Sequence, residues 1–424
     1  MYGRLLYPRL SAVVLFAALA AMSAAADSTA PAGQRSLAQL ARSVLGAGQG
    51  VYVETADGTV LLAQAAGLPV HPASVSKVPT TLALLRKLGP DHRFTTTFLA
   101  LGRLYDDTLD GDLLIESDGD PYFVDENALL VTARLNQMGL RHVTGKLRPA
   151  ATLTFDWQPD DGALRLQQAM SGQAPPIAWD AVRSQVLGDT PSATANALPA
   201  LRFDGALAGM ASATPPQSLL VHRSQTLLEL AKQLNDYSNN VFKPLADAAG
   251  GAAAVEKLAR SAVPATMHDE ITLGDGAGTD GRNRLSPRAA VKLLRALEAE
   301  LAHSGHRLVD ILPVAGIDAG TLHERFNAPD QVGRLVGKTG TFGDYGASAL
   351  IGAIPTSDRG TVYFAILNHG VPVPIARDRQ NRFVAALLSR LHTESWNYQP
   401  DARPAIARAR LDAVAPPPGL PAAH

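Results

Sequence analysis

Strand-like stretches lie near both ends of this chain with helical periodicity between them, and that order constrains the fold more than any single motif. Val51-Tyr52-Val53, an Asp57-Gly58 turn and Val60-Leu61-Leu62 read as a β-hairpin. Residues 334–342, 347–354 and 361–368 read as three more strands, and 377–392 as a closing helix. Helical spacing of apolar residues occupies 74–88, 224–234, 241–249, 253–258 and a longer stretch that ends at 301. The pattern predicts an α/β (α+β) fold in which one sheet is assembled from the two ends of the chain.

Residues 103–215 have a different texture. Short strand-like pieces, Leu113-Leu114-Ile115 and Leu153-Thr154-Phe155, alternate with turns such as Asp110-Gly111 and Asp118-Gly119-Asp120-Pro121. Residues 158–216, with Pro175-Pro176 and Pro215-Pro216, read as loops. We expect an inserted domain of mostly β character here, because 424 residues exceed the ~100–200 usual for one domain. The expected organisation is a leader over 1–26, a first part over 27–102, the insertion over 103–215 and a second part over 216–398. A disordered, Pro/Ala-rich tail is expected over 399–424.

Arg4 and Arg9 precede an apolar run over 10–21 that is broken only by Ser11, and Ala24-Ala25-Ala26 stands before Asp27. This is the pattern of a secretory signal peptide. The run is short for a membrane span, which needs roughly 20 apolar residues, so no stable span is expected after cleavage; a retained anchor is the alternative. The location implied is the periplasm.

A hydrophobic fraction of 46% and a charged fraction of 18% describe a folded chain. A formal charge of -1 and the lack of any basic run argue against nucleic acid as a partner. Without cysteine there is no thiol catalysis, cysteine-bound zinc or iron–sulfur cluster. The histidines form no H-E-x-x-H, and His303 and His306 read as solvated helix-end residues. No metal and no cofactor is expected.

Ser74-Val75-Ser76-Lys77 opens the first helical segment. Positions i and i+3 of a helix share a face, so the Ser74 hydroxyl and Lys77 amine are neighbours. A desolvated lysine is a base able to activate a serine nucleophile. Ser238-Asn239-Asn240 follows in a turn between helical segments, and Lys338-Thr339-Gly340 on a strand. Each triplet is weak alone, as the second S-x-N at Ser395-Trp396-Asn397 shows. Their order and context form the S-x-x-K, S-x-N, K-T-G set of penicillin-recognising serine acyl-transferases.

The flanks extend the match. Leu88-Gly89-Pro90-Asp91-His92-Arg93-Phe94, Val221-His222-Arg223-Ser224, Asn283-Arg284-Leu285-Ser286-Pro287 and Leu312-Pro313-Val314-Ala315-Gly316 are among the similar stretches, which run from about residue 70 to 355. With them the chain resembles the class C low-molecular-mass penicillin-binding proteins, the D-alanyl-D-alanine carboxypeptidase/endopeptidase family of DacB type. The resemblance implies a penicillin-binding-protein/β-lactamase-like transpeptidase domain interrupted between the first two motifs. It implies peptidoglycan stem peptides as substrate and β-lactam antibiotics as inhibitors. By the same resemblance Ser74 is the nucleophile, Lys77 its base and Ser238 a proton relay, while Asn240 holds Lys77 and the substrate amide. Lys338, Thr339 and Gly340 form the substrate strand, and the backbone N–H groups of Ser74 and Thr341 form the oxyanion hole.

Three departures bear on substrate preference. Asn239 replaces the family's frequent Asp, Phe242-Lys243-Pro244 replaces a typical Ala-Glu, and Asp275-Gly276-Ala277-Gly278-Thr279-Asp280 lacks the family's loop serine. A β-lactamase of the same fold and a catalytically silent wall-binding scaffold are the alternatives. Against the first, none of Glu256, Glu270, Glu298, Glu300 and Glu324 lies in the E-x-x-L-N pattern of class A lactamases. Whether terminal D-alanine is trimmed or cross-links are cut stays open in the sequence.

Overall fold

A computed structural model of the chain describes residues 32–151, 153–157, 161–187, 198–205, 215–236, 242–343, 346–401 and 408–414. The leader over 1–26 lies outside the described residues, as do Ser238 and Asn240 of the second motif.

The first sheet has five strands: β1 (Gly50–Thr55), β2 (Val60–Gln64), β11 (Val336–Phe342), β12 (Ala347–Thr356) and β13 (Gly360–Asn368). Their order is β11-β12-β13-β1-β2, so β1 from the start of the chain lies beside β13 from its end, with Val53 opposite Phe364. Side chains alternate across a strand, and both faces are buried. Val362, Phe364 and Ile366 pack with helices α1 (Ala32–Val44) and α10 (Val373–Arg390) through Leu37, Ala41, Phe383 and Leu387. Tyr363, Ala365 and Leu367 face α2 (Lys77–Leu88) and α9 (Pro287–His303) through Leu82, Leu85, Leu293 and Leu297. The Ser286 hydroxyl accepts from the N–H of Ala289 and Pro287 occupies the first helical position, which fixes the start of α9.

Glu54 fastens β1 to α9. It is fully buried and accepts from Lys292 Nζ at 2.6 Å, Arg295 Nη1 at 2.6 Å and the Tyr52 hydroxyl at 2.8 Å. Burial pushes its carboxyl up, but the hydrogen bonds from Lys292, Arg295 and Tyr52 outweigh it and hold the group below the usual glutamate range.

A second sheet of seven strands comprises β3 (Thr95–Tyr105), β4 (Thr108–Ser117), β5 (His142–Val143), β6 (Leu147–Pro149), β7 (Arg202–Phe203), β8 (Gln217–Arg223) and β14 (Arg410–Ala413). Its path is β14-β8-β3-β4-β5-β7, with β6 beside β4. The helices α3 (Asp125–Gln137), α4 (Gly162–Gln168) and α5 (Pro176–Leu187) belong to this part of the chain. A separate core forms there around Phe98, Leu113, Phe123, Leu129, Leu166 and Trp179.

The structure differs from the sequence expectation in three respects. Residues 158–216 contain α4 and α5, because Pro176 starts a helix where Pro175-Pro176 reads as a loop. The second sheet begins at Thr95, so residue 103 falls inside β3. Part of the tail is ordered: β14 pairs with β8, Arg223 Nε bonds Asp412 Oδ2 at 3.0 Å, and Leu411 packs on the second core.

The turn between β4 and α3 joins the two parts. Asp120 is buried and its Oδ1 accepts from the Tyr122 N–H at 2.9 Å, while its Oδ2 lies 3.8 Å from His222 Nδ1. Burial pushes the Asp120 carboxyl up to about 7. Two residues on, the Tyr122 hydroxyl accepts from Gln233 Nε2 at 2.6 Å on α6 (Leu227–Asp236).

Candidate active site

Ser74 lies in a 3-10 turn, Ala73–Ser76, that runs directly into α2 at Lys77. In such a turn the side chains at i and i+3 eclipse, which places the hydroxyl and the amine side by side. Both residues are buried, Ser74 to 7% and Lys77 to 1% exposure. The turn is held on several sides. Ala73 has φ 48°, a left-handed value, and its N–H donates to His71 Nδ1 at 3.1 Å. His71 Nε2 therefore carries the ring hydrogen and donates to the Asp280 carbonyl at 3.0 Å. The ring stacks on Phe342 at 4.5 Å.

Two glycines let neighbouring backbone reach the serine. A Cβ at Gly278 would lie 2.0 Å from the Ala73 carbonyl oxygen, and one at Gly340 would lie 2.6 Å from that of Pro72 and 3.0 Å from the N of Ser74. Asp275 shapes the 274–280 loop by accepting from the N–H groups of Gly278 at 2.7 Å and Asp280 at 3.0 Å and from Asn283 Nδ2 at 2.9 Å. Burial raises its carboxyl, but hydrogen bonds led by Thr279 and Asn283 prevail and keep it ionised below the usual range. Ala277, where the family's serine is missing, is buried in the first core.

Lys77 Nζ lies over the Phe242 ring, 5.2 Å from its centroid, at the first residue of α7 (Phe242–Ala248). Burial depresses the amine to about 7, the charge of Lys338 adds to the depression, and Asp275 opposes it. At neutral pH a large share of such an amine is unprotonated and able to take a proton from the neighbouring hydroxyl.

Lys338, Thr339, Gly340 and Thr341 lie on β11, the edge strand of the first sheet, which pairs with β12 along its length and bridges Val314 at Val336 on its other side. Lys338 is fully buried, and its Nζ has no hydrogen-bond partner among the described residues. Burial lowers it to about 8, with Asp236 opposing. Asp236, the last residue of α6, is itself raised to about 7 by burial, against the charges of Lys232 and Lys338. Thr339 donates to Thr321 Oγ1 at 2.7 Å, and the Thr321 N–H donates to the Asp236 carbonyl at 3.0 Å. Thr341 Oγ1 accepts from Arg377 Nη2 at 2.7 Å.

The Gly337 N–H donates to the Pro313 carbonyl, on the side of β11 away from β12. Backbone groups in a strand alternate sides, so the N–H groups of Thr339 and Thr341 face that same edge. The Thr341 N–H thus points away from β12, and Gly340 of the same strand lies against the turn that carries Ser74.

The structure therefore brings Ser74, Lys77, Lys338 and Gly340 together, with Thr339 and Thr341 on the open edge beside them. The residues that flank the second motif, Asp236 and Phe242, both reach this site. His71, Phe242, Asp236, Asp275 and Thr321 are site residues that sequence reasoning did not identify. The Phe242 substitution and the altered 275–280 loop were visible departures, but neither showed what the new side chains would touch.

The model of the D-Ala-D-Ala carboxypeptidase 3 (S13) family matches residues 34–179 and 194–390. This chain belongs to that family. It is accordingly a serine-type D-Ala-D-Ala carboxypeptidase. Carboxypeptidase DacB of Mycolicibacterium smegmatis is 27% identical over 404 residues, covering 83% of this chain and 82% of the relative. Among solved structures, the penicillin G-acylated predatory endopeptidase Bd3459 of Bdellovibrio bacteriovorus, in complex with immunity protein Bd3460, superposes with a TM-score of 0.70 at 22% identity. That match covers 83% of this chain and 95% of the other. Penicillin-binding protein 4 of Haemophilus influenzae gives 0.57 at 16% identity, over 82% and 99% of the two chains. The fold of this S13 member is thus the penicillin-binding, β-lactamase-like one that the sequence resemblance implied.

Proposed function

We propose that this carboxypeptidase cleaves the bond between two D-alanines of peptidoglycan stem peptides through an acyl-enzyme on Ser74, and that β-lactams trap it at the same serine. The observation that carries this reading is a buried lysine, depressed to about 7, in the same turn as a buried serine. Lys77 takes the Ser74 proton, the serine oxygen attacks the carbonyl carbon, and the oxyanion is held by the N–H groups of Ser74 and Thr341. Ser238 passes a proton to the leaving amine, and Asn240 orients Lys77 and the substrate amide. Water then hydrolyses the ester and regenerates the hydroxyl. Lys338 supplies positive potential and Thr339, on turning its hydroxyl from Thr321, a donor for the substrate's free carboxylate, while Gly340 leaves room for the serine turn.

The endopeptidase among the structural relatives supports cross-link cleavage as a second use of the same acyl donor. The leader pattern supports action in the periplasm, and among the described residues no helix is long and apolar enough to cross a membrane.

The test is labelling of purified enzyme with a fluorescent penicillin beside Ser74→Ala, with the adduct followed by intact mass. A lasting adduct on the wild type alone is expected. Drug consumption with a fleeting adduct would mean a lactamase, and no adduct would mean a silent scaffold.

A further inference from the structure

We propose that Arg377 is a substrate-binding residue that, with the Thr341 hydroxyl, holds the free α-carboxylate of the residue leaving the acyl-enzyme. The assignment rests on the acyl-serine reading above and adds a determinant that none of the three motifs contains.

Arg377 stands in the second turn of α10, directly after Ala376, which is buried against the first sheet. The buried alanine seats the helix, and the exposed arginine reaches back over the end of β11. Its Nη2 donates to Thr341 Oγ1 at 2.7 Å. Because that oxygen accepts from the guanidinium, the hydroxyl hydrogen of Thr341 stays available for another acceptor. Thr339 lies two residues earlier, on the same face of the strand and about 7 Å away. The Arg377 guanidinium and the Thr341 hydroxyl, side by side at the end of an edge strand, are donors that suit a carboxylate, and the Thr339 hydroxyl joins them if it turns from Thr321.

The charge balance points the same way. Arg377 has no carboxylate partner among the described residues, and the adjacent Asp378 is engaged by Arg382 at 2.7 Å. A second guanidinium, that of Arg325, is bound by the neutral oxygens of Asn381 and Gln380, each at 2.8 Å. Burial depresses Arg325 to about 10, and the charge of Arg377 adds to this. Among the described residues, Arg377 and Arg325 thus form a pair of neighbouring guanidiniums with no carboxylate bound to either. A substrate carboxylate beside Thr341 would complement this pair, whether the leaving residue is a terminal D-alanine or a D-configured residue of a second strand.

The experiment compares wild type, Arg377→Ala and Arg377→Lys on matched ligands: benzylpenicillin against its methyl ester, and a blocked D-Ala-D-Ala peptide against its C-terminal amide. For the free acids, Arg377→Ala should lower acylation efficiency about 10- to 100-fold, as loss of a charge-assisted hydrogen bond does. For the peptide the loss should appear in KM more than in kcat. The ester and the amide should react with both forms at rates within about twofold, and Arg377→Lys should recover part of the loss. Equal losses on acid and ester would make Arg377 a structural residue and overturn the assignment, as would no loss on either. If the wild type takes up neither penicillin nor ester, the acyl-serine reading falls, and this assignment falls with it.

Discussion

At the scale of single residues, the site is governed by two buried lysines, and the charge of Lys338 disfavours that of Lys77. With Lys77 at about 7 and Lys338 at about 8, acylation by penicillin should follow a bell-shaped pH profile. The rate should rise as Lys77 loses its proton and fall as Lys338 loses its own, with the two limbs belonging to the pair. Stopped-flow acylation measured from about pH 6 to about pH 9 tests this, and a flat profile would remove Lys77 as the base. Asp236 opposes the depression of Lys338, so Asp236→Asn should shift the falling limb to lower pH. Ser74, Lys77, Lys338 and Thr339 were legible because acyl transfer needs those side chains in that local spacing. Phe242, Asp236 and Thr321 were not, since each acts through a contact between segments distant in sequence.

At the scale of elements, β11 is an edge strand whose side chains are braced from outside the sheet. Thr321 accepts from Thr339 and ties that strand to the end of α6. Thr321→Val keeps the shape but removes the acceptor, and should lower kcat/KM for a D-Ala-D-Ala peptide about 3- to 10-fold, by the worth of a neutral hydrogen bond. Thermal melting should change little, and unchanged kinetics would show that Thr339 needs no brace. Glu54 is the corresponding brace for β1. Glu54→Gln leaves Lys292 and Arg295 facing each other without their counter-charge. Both cations are partly solvated, so the cost should fall at about 2 kcal/mol, below that of a fully enclosed pair, as a lower denaturation midpoint would show. The strands of the first sheet were readable from their apolar runs. The helices of the second part were not, because Pro175-Pro176 signals a loop and a helix start equally well, and burial of Trp179 and Val182 decides between them.

At the scale of the whole molecule, Asp120 sits where the second sheet meets α6. Its folded value of about 7 lies above the ordinary 3.8, so the folded state holds a proton there that the unfolded chain releases earlier. The stability this confers is full below the unfolded value and is lost as pH rises through about 7. Asp120→Asn has no such loss, so its melting temperature relative to wild type should climb between about pH 5 and pH 8, by up to ~1.4 kcal/mol per pH unit of stability difference. A constant difference across that range would show that the carboxyl titrates normally. The split sheet itself was legible, because strands at both chain ends leave few other ways to bury two apolar faces. The ordered strand β14 was not, as four residues in a polar tail carry too little pattern. The pairing of β1 with β13 also sets a timetable. A ribosome completes Ser74 and Lys77 well before β11, which flanks them, and β13, which anchors β1. The nascent chain thus carries its nucleophile without the surroundings that activate it, and the serine should stay chemically silent until those later strands have been made and paired.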